Sequence, residues 1–387
     1  MKNKKTIVIL SNEKESTTGN IIKELYEKEK DIITVLIGEK ELNNVVANFI
    51  DEKFLANKTF LKRIENNTSK YIKGFLNKMP KISKKEKPIS FNSKSPIHKK
   101  VKNILLRYNP DLVICLSHAI LKPAIAAKNM LNLECNIVSF IDRYYLDERF
   151  VNKETDLYLV DNDDIKEKLQ QKGIDSEKIK IANIPVKLNF KNKVDKATAL
   201  KHFELEDKPT ILLISTIYGD DRLKKAINEI IEAKFDINVI VAAGYNDNLI
   251  KFVNELYRPN IRVVDQDIDM NIAMSLSDII ITRPTTMVLT EALYKERLIF
   301  SLFSVGEEEF LTEEYFGYDL IVKLKDEKEM RENIKKYLDD KKTFDDRLKY
   351  IKDANIGEPS DRLYSIINDL IEVKEETEEN NNEILEK

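Results

Sequence analysis

The chain has 387 residues, of which 42% are hydrophobic, 34% are charged and nine are glycine, and its net charge is −3. That length and apolar content imply two domains with a core each, and no run approaches the 18 apolar residues of a membrane span. The charge is uneven. Lys53–Lys102 carries fifteen Lys and Arg against two Glu, a local +13, which leaves −16 for the rest; so basic a stretch suits an anionic partner, lipid headgroups or nucleic acid.

The basic start Met1–Lys5 is followed by only five apolar residues, too few for a signal peptide, so Thr6–Leu10 reads as a first buried strand. Further short apolar runs follow at 32–38, 112–117, 136–141, 157–161 and 179–184, and a second series at 211–215, 238–244, 261–265, 279–282, 298–303 and 320–324. They are apolar throughout rather than alternating, the pattern of parallel strands covered on both faces. The segments between them fit covering helices. In 220–234, for example, Leu223, Ala226, Ile227, Ile230 and Ile231 share one helical face. The expected fold is therefore α/β, with two Rossmann-like doubly wound domains at 1–190 and 208–357. A polar seam runs over 187–209, a final amphipathic helix over 358–373, and an acidic, asparagine-rich, disordered tail over 374–387. Within the first half, 77–100 is rich in Lys, Ser and Pro and reads as a mobile basic loop. Cys115 and Cys135 form no CxxC and read as buried, reduced thiols.

The stretch IITRPTTMVLTEAL, 280–293, is a strand end, a turn and a helix start. Such corners bind phosphate in many α/β enzymes, usually with glycines that let the backbone approach the ligand. Here Thr285 and Thr286 stand at the corner, and none of the nine glycines forms a GxG. Their hydroxyls and the helix amides can still bind phosphate, but β-branched side chains occupy space that glycine leaves open. In ISTIYGDD (214–221), Gly219 precedes Asp220 and Asp221; two acids at a helix start suit the helix dipole but repel a diphosphate.

The order of motifs in 158–190 (a strand, Asp161, a KEKL helix, a GIxxxKI turn and an IPV segment) resembles the bacterial diacylglycerol glucosyltransferase and plant galactolipid (monogalactosyldiacylglycerol) synthase family. VAAGYN (241–246), RVVDQDIDMNIAMSLSDIIITRP (262–284), TEAL (290–293) and GEEE (306–309) continue the resemblance, which covers roughly 1–370. It implies a GT-B type fold, two Rossmann-like domains facing a cleft, and transfer of a hexose from a UDP-sugar to a membrane lipid without metal or cofactor. The related peptidoglycan lipid-intermediate transferases are the next neighbours.

On the donor side the resemblance places Gly219 near the diphosphate, Gly244 and Asn246 near the uridine, Glu291 on the ribose hydroxyls, and Arg283, Thr285, Thr286 and Glu308 around the phosphates. Thr285 and Thr286 replace two glycines, and Glu307 replaces a Gln. On the acceptor side Asp142 matches the family's acidic residue and is a base, an orienting charge or a cap of the next turn, while the His and Trp that often follow it are absent. Thr18 falls where the family has a His; it is no base by itself, and STTG also reads as a helix cap. His118, at a strand end, is a replacement base or a structural His. The basic segment, with Lys78, Lys81, Lys84, Lys85, Lys87, Lys99 and Lys100, falls at the family's membrane-facing place, so its implied partner is an anionic membrane surface, peripherally bound on the cytoplasmic face. No nucleic-acid signature of interleaved aromatics accompanies it. The altered donor residues leave two alternatives: a catalytically inactive relative that binds lipid or a partner, and, more weakly, a nucleotide-sugar epimerase.

Overall fold

The computed structural model describes residues 4–13, 16–38, 96–215, 220–244, 246–265, 269–302, 304, 306–354 and 357–371, with Asp220, Asp221 and Tyr318 described by their backbone alone. These residues fall into two compact units, one made of those up to Leu188 together with 358–371, the other of Asn189–Gly357.

All six apolar runs of the first unit form strands: β1 (Lys5–Leu10), β2 (Ile32–Ile37), β3 (Leu112–Cys115), β4 (Asn136–Ile141), β5 (Leu157–Val160) and β6 (Ile179–Ile181). They pair in parallel in the order β2-β1-β3-β4-β5-β6. Successive residues of a strand point to opposite faces, and here both faces are buried, which explains why the runs do not alternate. Val8, Leu10 and Val113 pack beneath α2 (Pro96–Tyr108) and α3 (His118–Leu131) through Val101, Leu105, Ile120 and Leu121. Ile7, Ile9, Ile114 and Phe140 line the other face with Ile22 of α1 (Thr17–Leu25). α4 (Asp163–Gln171) covers β5. The final helix spans 359–371 and inserts Leu363, Ile367 and Ile371 into the same core as α1; Ser360 Oγ donates to the Val186 carbonyl at 2.7 Å. The last helix is thus part of the first unit's core.

The second unit repeats the plan with β7 (Thr210–Ile214), β8 (Asn238–Gly244), β9 (Ile261–Asp265), β10 (Ile279–Thr282), β11 (Leu298–Ser301) and β12 (Ile321–Lys323). The order is β12-β11-β10-β7-β8-β9, all parallel. The seam expected over 187–209 is not bare linker. Asp195 caps a helix, α5 (Lys196–Phe203), whose Ala199 and Phe203 are buried; two apolar residues four apart were too few to stand out in so polar a stretch. Helices α6 (Asp220–Ala233), α7 (Asp247–Asn254), α8 (Met270–Leu276), α9 (Thr286–Tyr294), α10 (Glu307–Leu320), α11 (Glu327–Asp339) and α12 (Asp345–Asp353) follow. No helix among the described residues is long and apolar enough to cross a membrane.

Open parallel sheets bind ligands beyond the C-terminal strand ends where the strand order reverses. In the first unit the reversal lies between β1 and β3, in the second between β7 and β10. The turns leaving those strands start α1 and α3 in one unit, and α9 in the other.

Candidate functional site

At the second unit's reversal point, β10 ends at Thr282 and α9 begins at Thr286. Thr285 occupies the N-cap with extended φ −81°, yet its side chain makes no capping bond. Thr286 is 6% exposed. Its Oγ1 donates to Glu308 Oε1 at 3.0 Å and lies 3.4 Å from Thr312 Oγ1. Arg283 and Glu309 are both buried and form a two-point ion pair: Nε lies 3.1 Å from Oε2, and Nη2 meets Oε1. Beside them, Ser301 Oγ donates to the buried Glu313 Oε1 at 2.9 Å.

Three carboxylates of one helix, α10, thus receive donors from the turn after β10, from β11 and from α9. The acids in its first turn also suit its dipole. Of the residues named from sequence, Thr286 binds Glu308, while Arg283 binds Glu309. Glu309 and Glu313 escaped sequence reasoning. Their four-residue spacing puts them on one helix face, a signal that was present but reads like any charged helix surface. Glu291 is 2% exposed, on the buried side of α9.

Gly244 closes β8 with φ +56°, the left-handed region that favours glycine, and nothing lies within 4 Å of the position a Cβ would take. Two residues on, Asn246 caps α7: its Oδ1 accepts from Leu249 N at 3.0 Å, and its Nδ2 reaches Ser215 Oγ at 3.5 Å. Ser215 follows β7, so Asn246 ties the ends of β7 and β8, beside the reversal point. Gly219 lies outside the described residues.

In the first unit, Cys115 of β3 pairs with Ser139 of β4. His118 follows β3 as the first residue of α3, and Asp142 follows β4 directly. Ser117 caps α3 through Ala119 N at 3.3 Å, so His118 opens the helix at the reversal point. The His118 ring packs edge-on to Phe150, with centroids 5.7 Å apart, and its Nδ1 lies 3.8 Å from Asp147 Oδ2. Burial, with Arg149, Arg143 and Lys122 nearby, pushes the imidazole down to about 4, and Asp147 opposes this only in part. Burial would raise Asp147, but the side-chain and backbone hydrogen bonds from Arg149 outweigh it and hold the carboxyl below its usual range.

Thr18 is 3% exposed in the first turn of α1. Its neighbour Ser16 does the capping, accepting from Gly19 N at 3.1 Å. Asp161 of the family-like stretch is a strut: it accepts from Ile184 N at 3.0 Å, and Asn183 Nδ2 donates to its carbonyl at 2.6 Å.

Of the basic segment, Lys78, Lys81, Lys84, Lys85 and Lys87 lie outside the described residues. The expected loop over 77–100 ends sooner than its composition implied, because Pro96–Lys100 already belong to α2. Proline is at home in a first helical turn, and Ile97, Val101 and Leu105 give that helix its buried stripe. Lys99 is exposed on it and Lys100 half-buried.

Residues 23–186 match the family model of monogalactosyldiacylglycerol (MGDG) synthase. Over that stretch the chain is similar to the MGDG synthases. A processive diacylglycerol β-glucosyltransferase of Staphylococcus saprophyticus subsp. saprophyticus is 24% identical over 229 residues, covering 57% of this chain and 58% of that protein. Among solved structures, Anabaena Alr3699/HepE in complex with UDP and glucose superposes with a TM-score of 0.55 at 12% identity, covering 95% of this chain and 99% of that one. A UDP-GlcNAc 2-epimerase from Neisseria meningitidis, bound to UDP-GlcNAc, gives 0.56 at 14%, with 95% and 100% covered. The fold is of the GT-B type, which transferases and epimerases share. The MGDG synthase match covers most of the first unit, where His118, Asp142 and Asp147 lie.

Proposed function

We propose that this chain is a glycosyltransferase that moves a hexose from a UDP-sugar to a hydroxyl of a membrane lipid of the diacylglycerol type. The observation that carries this reading is the MGDG synthase match across 23–186, the half that would hold the acceptor. Glu291 holds the ribose hydroxyls, the amides at the start of α9 face the diphosphate, and Asn246 lies toward the uridine. Asp142 after β4 and His118 after β3 are the groups on offer to take the acceptor's proton. The lysines of 78–100 hold the protein on an anionic membrane surface, each adding roughly 1 kcal/mol near the headgroups, and the site is the cytoplasmic leaflet.

A second reading, a catalytically silent relative that binds lipid or a partner, is favoured by one observation: Glu308 and Glu309 already engage Thr286 and Arg283 at the phosphate corner. Calorimetric titration at low salt with UDP, UDP-glucose and UDP-GlcNAc separates the two. Micromolar binding of UDP and UDP-glucose that disappears in Glu291→Gln, at unchanged melting temperature, supports transfer. Absence of heat with every nucleotide leaves the silent relative, and conversion of UDP-GlcNAc into its 2-epimer in place of transfer identifies an epimerase.

A further inference from the structure

Two groups beyond the C-terminal strand ends of the first sheet compete for the role of base, and the surroundings of one, His118 at the reversal point, are more fully built. His118 sits between α3 and the short helix Glu148–Phe150. That short helix supplies both the Phe150 ring against its edge and the Asp147 carboxylate facing Nδ1. Asp147 is fixed in turn. Arg149 Nε lies 2.8 Å from Oδ1 and 3.0 Å from Oδ2, Nη2 lies 2.6 Å from Oδ2, and Arg149 N donates to Oδ1 at 3.0 Å. Its side chain is 9% exposed, against 25% for His118. The arrangement is an imidazole with one nitrogen turned to a rigid carboxylate, the geometry by which an acid orients a histidine base.

We propose that His118 is the proton acceptor for the lipid hydroxyl and that Asp147 is its positioning residue, favouring the tautomer with the proton on Nδ1 so that Nε2 carries the lone pair. This rests on the transfer reading above. The acceptor O–H gives its proton to Nε2 as the oxygen bonds to the anomeric carbon. The bond from that carbon to the diphosphate breaks and UDP leaves with the electron pair. The imidazolium formed faces Asp147, whose carboxylate stabilises it. The 3.8 Å separation is ion-pair range, and such contacts commonly tighten when the substrate complex forms.

The charged groups facing His118 are Asp147, Arg149 and Arg143 from the segment after β4 and Lys122 from α3. Burial first, and then three cations against one acid, keep the ring neutral at physiological pH, the state a base requires. They also make Asp147 the one group here that favours the imidazolium.

The test combines a spectroscopic and a kinetic readout on the full chain. Nitrogen-15 NMR of the histidines, with the His118 signal identified by its loss in His118→Gln, reports the tautomer at pH 7; the chain has three histidines. The expected result is the Nδ1–H tautomer in the wild type and a shift toward Nε2–H in Asp147→Asn. An Nε2–H wild type, or an unchanged Asp147→Asn, overturns the positioning role. Turnover is measured with UDP-glucose and diacylglycerol in anionic vesicles. His118→Gln should lower kcat about 10²- to 10⁴-fold with UDP-glucose affinity unchanged. Asp147→Asn should lower kcat at constant KM and move the acid limb of the pH profile downward. Full activity in His118→Gln, with the loss appearing in Asp142→Asn instead, overturns the base assignment. Absence of UDP-glucose binding by the wild type sinks the transfer reading and the base role with it, while the tautomer measurement still decides whether Asp147 holds the ring.

Discussion

The two sheets end in the same way topologically and in opposite ways chemically. At the first, three cations surround a histidine and a single acid is held in place by one of them. At the second, three carboxylates of α10 take up the arginine and hydroxyls that an anionic ligand would need. Both sheets are six-stranded and parallel with a reversal beside their first strand, so the chemical difference lies in the residues placed at the turns. A parallel sheet offers a crevice at its reversal point whatever the side chains, and what that crevice can bind is decided by how far its polar groups are already committed to one another. The first crevice keeps a neutral, mostly buried imidazole. The second has its arginine and two of its hydroxyls engaged.

The largest expected effect comes from breaking the commitment at the second crevice. Arg283→Ala leaves Glu309 buried without its partner and should cost about 3–5 kcal/mol in urea denaturation. Replacing both, Arg283→Met with Glu309→Leu, should recover most of that loss, since a buried pair often stabilises no more than apolar residues of similar volume. A single variant as stable as the wild type would mean that the pair does not hold α10 against β10.

Next in size is the acid sensitivity that His118 brings to the first crevice. Its imidazole is held at about 4, against an ordinary 6.5. The unfolded chain therefore binds a proton that the folded chain refuses. Stability is complete above pH 6.5 and falls as pH drops toward 4, by about 3 kcal/mol at most. His118→Gln should flatten that part of the stability curve, measured by denaturant midpoints across the range; an unchanged curve would show that His118 protonates without penalty. A smaller effect tests whether Glu308 repels the donor. Glu308→Gln removes a charge beside the phosphate corner and should tighten UDP binding about 5- to 10-fold, on the order of 1 kcal/mol for a group near the surface. Unaltered affinity would place the diphosphate elsewhere.

The sequence carried the frame of both crevices further than their contents. Twelve apolar runs become twelve strands, with Asn136–Ile141 and Asn238–Gly244 placed to the residue, because strands buried on both faces must be apolar throughout. α5 was hidden, since Ala199 and Phe203 are too few to impose a visible period. The corner Thr285–Thr286, with Arg283 and Glu308, reads from sequence as a changed phosphate motif. That Glu309 neutralises Arg283 is not legible there, because a buried ion pair joins residues 26 apart on different elements and leaves no local pattern. Asp147 was passed over for the same reason: it acquires meaning only when the fold brings it to His118, 29 positions earlier in the chain. Chemistry that depends on one residue type at one turn is legible from sequence; chemistry that depends on two turns meeting is not.

The smallest expected effect separates two duties at Asn246. As the cap of α7 it satisfies Leu249 N through Oδ1, and through Nδ2 it reaches Ser215 at the end of β7. Asn246→Ala loses both and should cost about 1 kcal/mol. Asn246→Asp keeps an oxygen for the cap, and its negative charge suits the helix start, so its stability should stay near that of the wild type. It has no Nδ2 to offer the strand end or a uracil. If Asn246 faces the donor's base, Asn246→Asp should bind UDP several-fold more weakly at unchanged melting temperature. If Asn246 is only a cap, affinity should follow stability in both variants, and the second crevice would then hold its nucleotide through Glu291 and the α9 amides alone.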